Sequence, residues 1–181
     1  YSYNNYSITW SYGYLSSSLV KLDYSIDSGA TWVSISSSYS NSGSYSWTIP
    51  NVNSTKCLVR VTDFGNNATY DISNAVFTIK PAVTVTAPNG SEQLGGCTVT
   101  TITWTGESSS GNYQLQYSLN GGSSWTTIVS QAFSGGPNFS YNWTLPNTPS
   151  DFCLVKVTNT SNTSKVDQSD AVFSIVPTLV V

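Results

Sequence analysis

Apolar and polar side chains trade places with a period of two through much of the second half of the chain. Ile102 and Trp104 share one face; Tyr113, Leu115, Tyr117 and Leu119 share another, with Gln114, Gln116 and Ser118 opposite. Tyr141, Trp143 and Leu145 follow, then Cys153, Val155 and Val157, and last Ala171, Phe173 and Ile175. Successive side chains in a strand point to opposite faces, so each run predicts a half-buried β-strand. Val83 and Val85 add a strand in front and another starts near Trp125, giving about seven strands in roughly 95 residues. The turn-forming clusters APNG, NGG, SGGPN, LPNTPSD and NTSNTS separate them. No segment reads as a long helix. The prediction is an all-β sandwich.

The same pattern is written twice. SITW (Ser7 to Trp10) matches TITW (Thr101 to Trp104), and YSIDSGATW (Tyr24 to Trp32) matches YSLNGGSSW (Tyr117 to Trp125). SYSWTIPN then matches SYNWTLPN, KCLVRVTD matches FCLVKVTN, and DISNAVFTI matches DQSDAVFSI. Trp32 and Trp125 lie 93 residues apart and Cys57 and Cys153 lie 96 apart, so the spacing drifts by only three. Five blocks in one order mean two copies of one module. The expected division is residues 1–80 as the first sandwich, 81–176 as the second, and 177–181 as the start of a following repeat or a donor strand.

Composition narrows the function. Only 8% of residues are charged, the net charge is −3, and there is no His. Six scattered cations argue against nucleic acid, whose phosphates need clustered Lys or Arg. No apolar run approaches the ~20 residues that span a bilayer, so no membrane insertion is expected. Cys57, Cys97 and Cys153 have no metal-ligand spacing and no His to join them. No metal or other cofactor is expected. The chain opens at Tyr1 without a signal peptide, which predicts a mature or internal piece of a longer product.

Candidate chemistry gathers in the second matching block. Ser-x-Asp-x-Gly-x-Thr-Trp resembles the Asp-box hairpin of sialidase propellers. In that reading Asp27 or Asn120 accepts backbone N–H groups at a turn, Gly29 or Gly122 supplies positive φ, and Trp32 or Trp125 packs beneath. Asn can build such a turn but cannot act as a carboxylate, so these residues are expected to be structural. Without His there is no Ser-His-Asp or Cys-His arrangement. The Ser-x-x-Lys at Ser18 to Lys21 lies at the entry to a strand, not on a helical turn. The carboxylate pairs Asp23/Asp27 and Asp167/Asp170 are the remaining candidates for acid–base work. One repeat replaces the first pair by Gln116 and Asn120. An enzyme is not expected.

The run TAPNGSEQLGGCTVTTITWTG, followed by YSLNGGSSWTTI, YNWTLPNTPSDFCLVKVT and SDAVFSI, resembles a fibronectin III/Ig-like repeat of bacterial secreted or surface proteins of the Bacteroidetes type. The resemblance covers nearly the whole chain. It implies two tandem Ig/fibronectin III-like β-sandwiches, the first lacking its lead strand. It also implies an extracellular location and a role as spacer, adhesive repeat or accessory domain. In such sandwiches Cys97 and Cys153 stand where the two sheets are often bridged, and a Cys97–Cys153 disulfide is expected. Cys57 is then a buried thiol or pairs outside the chain, because Tyr3 occupies the position matching Cys97.

The ends of the two copies carry a further expectation. IVPTLVV (Ile175 to Val181) aligns with IKPAVTV (Ile79 to Val85), so the chain enters a repeat one strand late and runs one strand into the next. It is either a window on a tandem array or a subunit whose Thr178, Leu179, Val180 and Val181 complete another copy. Partners are therefore neighbouring repeats or identical subunits, head to tail. A glycan stacked on Tyr1, Tyr3, Tyr6, Tyr12, Tyr14 and Tyr39 is the alternative ligand, in an accessory carbohydrate-binding module.

Overall fold

β-Branched, hydroxyl and aromatic residues suit half-buried pleated surfaces, and the computed structural model of the chain is all-β, without helices among the described residues. It describes residues 1–11, 13 and 15–178. Two units separate between Pro81 and Ala82.

Among the described residues the second unit holds nine strands: β8 (Val83–Ala87), β9 (Gln93–Gly95), β10 (Val99–Gly106), β11 (Ser110–Ser118), β12 (Thr126–Ser134), β13 (Asn138–Thr144), β14 (Ser150–Asn159), β15 (Val166–Gln168) and β16 (Phe173–Val176). One sheet runs β13-β10-β8; the other runs β12-β11-β14-β16-β9, with β15 also on β14. Apart from the short β9, chain order crosses between sheets at β10–β11, β12–β13 and β13–β14, which is the arrangement of Ig/fibronectin III-like sandwiches. The inward faces are those the alternation predicts: Ile102, Trp104, Tyr113, Leu115, Trp143, Val155, Val157 and Phe173 are all buried. Trp104 sits at the centre, stacked on Phe139 at 5.5 Å and met edge-on by Phe133 at 4.9 Å and Tyr113 at 5.6 Å. β9 and β15 are three residues each, too short to carry a periodic signal.

The first unit holds the matching strands β1 (Asn5–Thr9), β2 (Leu19–Ser25), β3 (Val33–Ser40), β4 (Ser44–Thr48), β5 (Ser54–Asp63), β6 (Tyr70–Ile72) and β7 (Phe77–Ile79). Its sheets are β1-β4 and β3-β2-β5-β6, with β7 on β5. Nothing among the described residues takes the place of β8 on β1, or of β9 on β7.

The lost cover shows in the core. Val155, Val157, Trp104 and Phe173 are at most 1% exposed, whereas their counterparts Val59, Val61, Trp10 and Phe77 are only half-buried. The strand itself is shorter. β10 continues through Trp104–Gly106, the residues that pair with β8, while β1 stops at Thr9 and leaves Trp10 and Ser11 outside it.

Candidate functional site

The hairpins β2–β3 and β11–β12 close through the same set of bonds. Ser25 is buried, and its hydroxyl accepts the Gly29 N–H at 2.8 Å while donating to Asp27 Oδ1 at 2.7 Å. Asp27 in turn accepts the Thr31 N–H at 2.8 Å and the Thr31 hydroxyl at 2.6 Å. In the other copy the Ser118 hydroxyl accepts from Gly122 N at 2.9 Å and donates to Asn120 Oδ1 at 2.8 Å. Asn120 accepts from Ser124 N at 2.9 Å, and its Nδ2 donates to the Ser124 hydroxyl. Gly29 and Gly122 have φ of 90° and 88°, and it is this left-handed backbone that calls for glycine, since a Cβ at either would make only ordinary contact with the ring of Trp32 or Trp125. The Arg60 guanidinium lies 4.4 Å from the Trp32 ring and the Lys156 ammonium 4.1 Å from the Trp125 ring. Burial holds the Lys156 pKa below its ordinary value. The Ser, Asp and Asn side chains of each corner bond one another or the backbone and side chain of the same turn.

The hydroxyl and amide of Thr31 hold the Asp27 carboxyl down at about 2. A lowered carboxylate pKa contributes stability above the unfolded value of about 4 and loses it as pH falls through the folded value. Asn120 cannot titrate. Between pH 4 and 2 the Thr31 amide resonance should therefore move with a midpoint near 2, while the Ser124 amide stays still. Matched movement of both would contradict the assignment.

The other sequence candidates are scattered. Asp23 is ion-paired to Arg60 at 2.9 Å. Lys21 donates to Asn67 Oδ1 at 2.7 Å from within β2, well away from any helical turn. Asp170 accepts from Asn89 Nδ2 at 2.7 Å. Asp167 accepts the Val85 N–H at 2.8 Å, which lies on the side of β8 turned away from β10. Burial raises the Asp167 pKa, against the pull of that N–H. The two carboxylates of each pair are held by different partners.

The expected Cys97–Cys153 bridge is not formed, and all three cysteines are free thiols. Cys153 is buried against Phe173 with its Sγ 3.3 Å from Ser150 O. Burial raises its pKa. Cys97 is an exposed turn residue with φ of 61°, its N–H bonded to Leu145 O, so its side chain faces solvent. Tyr3 has the same conformation, φ 62°, with its N–H on Ile49 O. The shared position is a turn that happens to carry Cys once. Under native conditions a thiol reagent should label Cys97 rapidly and leave Cys57 and Cys153 protected, with three thiols released in denaturant. Fewer than three would restore a bridge.

Two grooves of the first unit lie where the described residues hold no equivalent of β8 or β9. A groove of about 430 Å³ runs in the first unit between Ile8–Ser11 on one side and Val59, Val61 and Asp71–Ser73 on the other. A second, of about 440 Å³, lies under Tyr1 and Tyr6 against Phe77 and Ile79, where β9 sits on β16 in the other copy. Asp71 aligns with Asp167, and no hydrogen bond to its side chain is formed among the described residues. Of the tyrosines considered for sugar stacking, Tyr1 and Tyr6 edge this second groove, and Tyr39 packs edge-on against Tyr45 at 4.8 Å. Tyr12 and Tyr14 lie outside the described residues, as do Leu179, Val180 and Val181 of the donor segment. Thr178 is described, and its hydroxyl donates to Gly96 O.

Sequence reasoning missed two roles. The buried Ser25 and Ser118 stand first in the matched hairpin motif, and Asp71 and Asp167 are an acid kept in both copies of one block. Both were visible as identities between the copies.

No protein-family model and no curated protein matches the chain. Among solved structures it is similar to fibronectin(III)-like modules of Clostridium thermocellum CbhA, at 15% identity and a TM-score of 0.35, over 97% of this chain and 87% of that one. The fold assignment rests on the strand order described above.

Proposed function

We propose that the two sandwiches are non-catalytic structural repeats of a large extracellular or cell-surface protein, carrying load or adhesion along a rod or filament. The observation that supports this best is the use made of the candidate chemistry. The carboxylate at the Asp27 corner and those in the candidate pairs are engaged by a backbone amide, a hydroxyl, an amide side chain or a cation. The same corner also recurs in both copies with Asn in place of Asp. Selection for a reaction would keep the acid; selection for a hairpin keeps the acceptor. Low charge and abundant hydroxyl side chains fit an extracellular setting.

Single-molecule pulling tests the reading. Each unit should give its own unfolding event, lengthening the chain by roughly 25–35 nm for some 80–100 residues at 3.3–3.6 Å each. Polysaccharides added at millimolar concentration should change neither event. Retention of a polysaccharide by the chain would replace this reading with that of an accessory carbohydrate-binding module.

A further inference from the structure

We propose that the outer face of β2, β5 and β6 in the first unit docks an acidic peptide segment of a partner protein, with Lys21 receiving its carboxylate. The inference gives the structural-repeat reading a protein partner and rests on that reading.

Register places the parts. Lys21 of β2 lies opposite Thr62 of β5, and Thr62 lies opposite Tyr70 of β6, so the three stand in one row across the sheet. Asp23 and Arg60 pair in the next row on the same face, since side chains two apart in a strand share it. With Asn67 these residues line a depression of about 420 Å³. Two of the six cations of the chain meet there. Asp23 neutralises Arg60 at 2.9 Å, whereas Lys21 meets only the uncharged amide oxygen of Asn67, at 2.7 Å. One positive charge is left over. The Lys21–Asn67 bond is solvent-exposed, so a carboxylate can take it over at little cost. Thr62 is 6% exposed, and its hydroxyl has no hydrogen-bond partner among the described residues. A buried hydroxyl left unpaired is unfavourable, and an incoming oxyanion would satisfy it.

The second copy shows that the fold does not require this face. Lys21, Asp23, Phe64, Asn67 and Tyr70 align with Gln114, Gln116, Thr160, Thr163 and Val166, while the inward Leu22 and Val61 between them align with Leu115 and Val157. Thr158, which matches Thr62, is only half-buried. The charged depression therefore belongs to the first unit alone.

The aromatic rings decide the class of ligand. Tyr70 and Phe64 are both well exposed. The Arg60 guanidinium lies 4.4 Å from the Trp32 ring and 5.9 Å from the Tyr70 ring, and the Lys21 ammonium lies 5.3 Å from the Phe64 ring. Each ring already faces a cation, so none offers a saccharide a bare stacking platform. A peptide needs none. Its carboxylate meets Lys21, and an apolar side chain beside it covers the exposed rims of Phe64 and Tyr70. Arg, Trp and Tyr are also the side chains that most often anchor protein interfaces.

Peptide titration followed by amide NMR tests the docking face. The probe is a blocked peptide, acetyl-Gly-Phe-Glu-Phe-Gly-amide, and its control carries Gln for Glu. At millimolar concentration the Glu peptide should shift the amides of Lys21, Thr62 and Tyr70 and leave those of Gln114, Thr158 and Val166 unmoved. Added salt should weaken it. The Gln peptide, or a Lys21→Gln variant, should lower the affinity roughly tenfold, the effect of losing a charge-assisted bond. Thr62→Val should do the same without weakening the fold, because the hydroxyl it removes is unpaired there. No shift with the Glu peptide, equal binding of the two peptides, or equal shifts in both units would overturn the inference and leave the structural-repeat reading standing. An oligogalacturonate that shifts the Lys21 amide while the Glu peptide does not would overturn both.

Discussion

Trp104→Ala is expected to destabilise the second unit by about 3–5 kcal/mol, the usual range for emptying an aromatic site in a closed core. For a domain of this size that lowers its melting midpoint on the order of 12–40 °C. The ring is 1% exposed and in contact with Phe139, Phe133 and Tyr113, none of which can fill its volume without leaving its own strand. The matching substitution Trp10→Ala should cost the first unit much less. That indole is half-buried at the mouth of the groove, and its Nε1 bonds to Asn41 at 2.8 Å instead of lying sealed in the core. Calorimetry on each variant, resolving the two transitions, measures both. Equal losses would mean that the first unit is as closed as the second.

Ser118→Ala should remove about 1–3 kcal/mol from the second unit, and Ser25→Ala a similar amount from the first, provided no water replaces the hydroxyl. Each hydroxyl is 1% exposed and accepts a glycine amide that has no other partner in the turn. Deleting it strands that N–H, and it also frees Asp27 or Asn120 to swing out. Ser124→Ala, at an exposed position of the same turn, removes only a hydrogen bond that water can replace, and should shift stability by a few tenths of a kcal/mol. Urea titration of the three variants gives the order. A Ser124→Ala loss matching that of Ser118→Ala would contradict the buried-hydroxyl account.

How much of this was legible beforehand follows from the range of each interaction. The inward faces were readable, because alternation is local and Val155, Val157, Ile102 and Trp104 keep it without a break. The duplication was readable because identity survives at turns, cores and the hairpin corner alike. The two short strands were not, since β9 and β15 are defined by their neighbours β16 and β14 and carry no pattern of their own. The disulfide expectation failed for a related reason. Sequence placed Cys97 near the start of a strand, but only the backbone shows a left-handed turn that holds its side chain in solvent. The groove lay between these cases. That residues 1–80 hold no counterpart of β8 was visible in the alignment, whereas its walls, and the pairing of Asp167 with the Val85 amide, needed the fold.

The central claim is that residues 1–81 form the second unit's sandwich without, among the described residues, a strand in the place of β8. Trp10 donates its N–H to Gly43 and Gly106 donates to Pro137, both on the β4 and β13 side. By alternation the amides of Ser11 and Thr105 face the opposite edge, which among the described residues is uncovered in one copy and covered by β8 in the other. Hydrogen exchange on dilute, monomeric chain reads the difference directly. The account predicts that the Thr105 amide exchanges at least a hundredfold more slowly than the Ser11 amide. Comparable protection at the two sites would contradict it.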